Sequence, residues 1–120
     1  MRVRMKMSMG DLQVMAGLVS RYSLARWSMR SPEAVVTYTV CTRLLGRIAT
    51  MIINMAGRRS AMLTLGDAEV MVMIMAGEDE EFAAVLEGAQ LMLLRRVEAE
   101  IEGRTMLMAP AINARLSETF

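Results

Sequence analysis

Few residues in this chain have side chains suited to chemistry. The one cysteine, Cys41, lies in EAVVTYTVCTRLLGRIA (Glu33–Ala49), and histidine is absent. A cysteine nucleophile needs its pKa lowered by a histidine, another cation or a helix N-terminus. No imidazole is available, and Cys41 lies about ten residues beyond the nearest helix start, outside the reach of a helix dipole. It also falls on an apolar stripe, which reads as a small buried hydrophobe. Histidine metal sites and histidine general bases are excluded outright. Fifteen methionines include the runs MKMSM, MVMIM and MLM. Aligned thioethers can hold Cu(I), but on strand faces covered by helices they read as adaptable core filler. Asp67, Glu69 and the acidic run at 78–81 form no arguable carboxylate pair, and no glycine-rich phosphate loop is present. The expectation is no metal and no cofactor.

Charge is the stronger signal. The net charge is +1, but residues 1–60 carry ten Lys/Arg against Asp11 and Glu33, whereas residues 61–120 carry four Arg against eleven acids. A basic half can serve an anionic partner, or can simply neutralise the acidic half in one fold. The segment SRYSLARWSMR mixes Arg21, Arg26 and Arg30 with Tyr22 and Trp27, a composition suited to RNA contacts and equally to a surface loop anchored by tryptophan.

The elements that would position these groups can be read from periodicity. Arg2, Arg4, Lys6 and Ser8 alternate with Val3, Met5, Met7 and Met9, giving a half-buried strand. Gly10-Asp11 reads as a turn, and Leu12–Val19 as a second strand closing a hairpin. Residues 20–31 read as a loop. Ser31-Pro32-Glu33 opens a helix that runs to Ala56 and stops at Gly57, with Ala34, Tyr38, Cys41, Leu45, Ile48, Ile52 and Met55 on its buried stripe. Ser60–Leu65, Gly66-Asp67 and Ala68–Met75 read as a second hairpin. A helix from Glu78 to Glu102, a last strand in RTMLMA and a tail over 110–120 complete the order. The predicted fold is α+β, β-β-α-β-β-α-β, with one mixed sheet packed by two helices in a single domain over residues 1–120. One cysteine gives no disulfide framework, the N-terminus has no signal-peptide pattern, and no uninterrupted apolar run reaches about 18 residues. A cytoplasmic protein with no membrane contact is expected.

That element order resembles the ribosomal-processing cysteine protease family, with its YsxB-like fold. SLA (Ser23–Ala25) stands where the family has Gly-His-Ala, and EAVVTYTVCT (Glu33–Thr42) where it has the run carrying its cysteine. Leu24 then occupies the catalytic histidine position, and Val36 or Thr37 the cysteine position, so Cys41 is not the family nucleophile in either register. The resemblance implies a catalytically dead, homodimeric scaffold that binds a peptide, or a ribosomal or phage protein, through Leu24, Ala25, Arg26 and Thr37. Two other readings stand beside it. One is a cysteine peptidase using Cys41, and the other an RNA-binding module using the basic N-terminal half.

Overall fold

The computed structural model describes the backbone of residues 2–119 and the side chains of residues 2–104. Its elements are β1 (Val3–Met7), α1 (Met9–Trp27), α2 (Pro32–Asn54), β2 (Ala61–Leu65), α3 (Asp67–Glu78), α4 (Glu80–Val85) and α5 (Gly88–Thr119). The fold is therefore α+β, but the sheet is a two-stranded antiparallel ribbon, β1 against β2, instead of the expected mixed sheet. Val3 pairs with Leu65, Met5 with Leu63 and Met7 with Ala61.

Strand β1 and helix α2 lie where periodicity places them. Ser31 caps α2 by accepting the Ala34 N–H, and Pro32 sits in the first turn. Along α2, Ala34, Cys41, Ile48 and Met55 are buried as expected, but the stripe turns through Thr37 and Leu44, leaving Tyr38 exposed and Leu45 and Ile52 at the core margin. Among the described residues, α2 is the one helix long and apolar enough to cross a membrane. Its outer face is broken by Arg43 and Arg47, and its buried stripe packs on α1, with which it forms the most extensive helix pair.

Three expected strands are helices. Leu12–Val19 belongs to α1, because Ser8 and Asp11 form a reciprocal capping box. The Ser8 hydroxyl accepts the Asp11 N–H, and the Asp11 carboxylate accepts the Ser8 N–H, both at 3.0 Å. This starts a helix where Gly10-Asp11 suggested a turn. Residues 20–27, expected as loop, continue α1, since Leu12, Met15, Leu18, Val19 and Tyr22 are buried at helical spacing. Ala68–Met75 belongs to α3, whose start is held by the Gly66 N–H donating to Glu69 at 3.0 Å. The expected helix over 78–102 divides into α4 and α5. Asp79 caps α4 by accepting the Phe82 N–H, and residues 86–87 separate it from α5. The expected strand RTMLMA and residues 110–119 of the expected tail are part of α5. Gly103 does not stop the helix because a glycine terminates one only by turning left-handed. The glycine with positive φ is Gly57, at +80°, just past the end of α2. Leucine, methionine and alanine are strong helix formers, so an apolar run of them continues a helix readily.

The inner face of the ribbon, Val3, Met5, Met7, Leu63 and Leu65, merges with α1, α2, α3 and α5 in one core. Tyr22 on α1 meets Phe82 on α4 edge-on, with ring centroids 4.9 Å apart. The Arg21 guanidinium donates to the Val85 carbonyl at 2.9 Å and ties α1 to the α4–α5 connection.

Candidate nucleic-acid interface

The ribbon carries a local twofold relation. Each half runs strand, capped helix, then long helix, with the short α4 inserted in the second. Val3, Met5 and Met7 correspond to Ala61, Leu63 and Leu65, and the antiparallel register maps each strand onto the other. Ser8 and Asp11 correspond to Gly66 and Glu69, and buried Leu12 and Met15 to buried Val70 and Met73.

Two arginines repeat the relation. Arg47 on α2 donates to the Thr64 carbonyl at 2.8 Å and pairs with Glu69. Arg96 on α5 donates to the Lys6 carbonyl and pairs with Asp11 at 3.2 Å. Each half thus sends an arginine from its last helix onto the strand edge and helix cap of the other. A two-stranded ribbon has two open edges, and these guanidinium groups occupy a carbonyl on each. The Asp11 carboxyl is held below the usual carboxylate range, chiefly by the Ser8 N–H it accepts and further by Arg96.

With one face buried and its edges clasped, the ribbon presents its other face to solvent. Arg4 and Lys6 of β1, and Arg2 just before it, are exposed, and Met62 and Thr64 stand across from Lys6 and Arg4 on β2. No acid lies at these alternating positions. Beside β2 runs an open groove bounded by Arg43, Arg47, Thr50 and Met51 of α2 together with Met62 and Thr64. Arg58 closes its neighbour next to Ser60 and Met62. The face is therefore cationic on one strand, neutral on the other, and bordered by further arginines.

The other sequence candidates lie elsewhere. Leu24 and Ala25 point outward from the last turns of α1, whereas Thr37 is buried, so they do not line one groove. Arg26 is half-buried, and its Nε has no hydrogen-bond partner among the described residues. Val36 is exposed and Trp27 packs on Tyr38 at 4.8 Å, joining the α1 and α2 ends. Cys41 is fully buried, and burial pushes its thiol up to about 11. Its sulfur is therefore a neutral thiol at physiological pH, shielded from substrate. The methionine runs separate by geometry: Met5 and Met7 face the core together, while in helix α3 Met73 is buried and Met71 exposed. Met106 and Met108 carry side chains outside the described residues. Among the described residues no cluster of His, Cys, Asp and Glu could hold a metal ion. Sequence reading registered the basic half but missed the ribbon that gathers part of it on one face, because it placed the two ribbon strands in separate hairpins. Comparison with protein-family models, curated proteins and solved structures gives no match.

Proposed function

We propose that this protein binds a nucleic-acid duplex through the outer face of its β-ribbon. The observation that carries the reading is the row Arg2, Arg4 and Lys6. These are three exposed cations on alternate residues, Arg4 and Lys6 within β1 and Arg2 immediately before it, and the residues between them are buried. Two strands about 5 Å apart, with side chains on one face, match the major groove of B-form DNA, about 12 Å wide. An A-form helix offers only a deep, narrow major groove that side chains cannot read, so DNA is favoured over double-stranded RNA. Arg43 and Arg58, beside β2, are placed for the phosphates that border a groove. This reading keeps the basic N-terminal half of the RNA-binding expectation but replaces RNA by B-form DNA.

The observations give less support to a peptide scaffold related to the ribosomal-processing proteases. Its basis was the element order, and the described residues run β-α-α-β-α-α-α. A peptidase using Cys41 requires an accessible thiolate, which burial opposes. Function through a duplex needs neither metal nor cofactor.

Fluorescence anisotropy with a labelled B-form duplex tests the reading. With three to five phosphates neutralised, the logarithm of affinity should fall with log salt at a slope of about −2.7 to −4.5. Arg4→Ala with Lys6→Ala should weaken binding at least about tenfold, as expected for lost phosphate or base contacts. Arg30→Ala is the control, removing a like charge from the α1–α2 connection, outside the ribbon. Equal losses from both variants, or binding indifferent to salt, would refute the assignment.

A further inference from the structure

We propose that the duplex recognised by this ribbon lacks twofold symmetry, with guanines under β1 and A·T pairs under β2. The inference rests on the ribbon's being the binding face. Backbone register, inner face, helix caps and arginine clasps all obey the local twofold relation. The outer face breaks it. The relation places Arg4 on Met62, Lys6 on Thr64 and Arg2 on Ser60.

A symmetric reader made of two equal halves matches a palindrome, because each half meets the same bases. Here the halves are one chain and are free to differ: the inner-face pairs change in size but stay apolar, whereas the outer-face pairs change in charge. The chemistry of each strand then names its half-site. Arginine and lysine donate to the O6 and N7 acceptors of guanine. The Met62 thioether and the Thr64 methyl offer apolar contact to the C5-methyl of thymine, and the Thr64 hydroxyl adds one adaptable hydrogen bond. Met62 is half exposed, so it reaches beyond the ribbon without rearrangement. Arg43 and Arg58 border β2, so that neutral strand gains its affinity from flanking phosphates while β1 carries cations itself.

Selection of the full chain against a randomised DNA duplex pool tests this. The parent should enrich a motif that is not self-complementary, G-rich on one side and A·T-rich on the other. It should bind that motif about tenfold or more tightly than a palindrome made from either half. The double variant Met62→Arg, Thr64→Lys gives both strands the Arg4–Lys6 pattern on the outer face, and it should enrich an inverted repeat of the G-rich half. A thermal melt matching the parent's confirms that the variant is folded. A palindromic parent motif overturns the proposal, as does a variant that keeps the parent motif. Salt-dependent binding with no enriched motif also overturns it while leaving the ribbon as the binding face. No binding to any duplex removes both.

Discussion

The reciprocal arginine clasps make the most direct prediction about what holds this fold together. Arg96→Ala deletes two charge-assisted hydrogen bonds, to the Lys6 carbonyl and the Asp11 carboxylate. Arg47→Ala deletes the corresponding pair at Thr64 and Glu69. Bonds to charged groups contribute about 1.5–3 kcal/mol each when shielded and much less in open water. Asp11 is 36% exposed, which puts Arg96→Ala at about 1–1.5 kcal/mol. Glu69 is only 15% exposed, so Arg47→Ala strands a more deeply placed carboxylate and should cost about 2–3 kcal/mol. At this chain length each kcal/mol lowers the melting temperature by about 3–6 °C. Urea and thermal melts of both variants measure the difference, with Arg→Met versions retaining the apolar stems as controls. The acid limb adds a second readout. Because the Asp11 pKa is depressed, its contribution is fully present above the unfolded carboxylate value of about 4 and is lost as pH falls through the lower folded value. The Ser8 N–H is the largest cause of that depression. Arg96→Ala should therefore reduce, without abolishing, the acid sensitivity traced to Asp11. If both alanine variants melt within about 0.3 kcal/mol of the parent, or if Arg96→Ala is the costlier, the clasps do not hold the ribbon edges as argued here.

Two further predictions concern the core and the backbone. Cys41 should resist a small alkylating agent in the native protein at pH 8 and react promptly in denaturant; Cys41→Ser should destabilise by about 1–3 kcal/mol, because the hydroxyl is buried where sulfur was tolerated. Rapid native labelling would contradict the burial of the α2 stripe. Gly57→Ala and Arg30→Gly should move stability in opposite directions, by about 1 kcal/mol each, since Gly57 (φ +80°) and Arg30 (φ +49°) both occupy the left-handed region that glycine adopts freely. Melts that shift both in the same direction would show that these turns do not govern stability through φ.

Local signals explain which parts of the fold were legible in the sequence. The Ser31-Pro32-Glu33 start and the three-to-four spacing beyond it act within one helix, and α2 appears where they put it. Strict alternation over Val3–Met7 likewise needs no distant partner to define a strand. The misread segments were ambiguous at short range. Apolar runs such as LQVMAGLV and AEVMVMIM fit a buried strand or a buried helix equally well. The deciding features were the caps at Ser8/Asp11 and Gly66/Glu69, the first of which stands in the sequence as Ser-x-x-Asp and overlaps the turn dipeptide Gly10-Asp11. The strings GDLQVM and GDAEVM also hint at the internal relation, but two residues out of register, because the structure equates Asp11 with Glu69 and not with Asp67.

By itself, then, the sequence determined the absence of imidazole chemistry, the α+β class, the burial of Cys41 and the alternating cations at β1. Each follows from composition or from periodicity within one element. Only the tertiary structure decided that β1 pairs with β2 across more than fifty intervening residues, leaving Arg2, Arg4 and Lys6 on an open face while Arg47 and Arg96 clasp its edges. Strand pairing at that separation depends on which apolar faces can share one core. That choice is made by the packing of all the helices together, and no single stretch of residues records it.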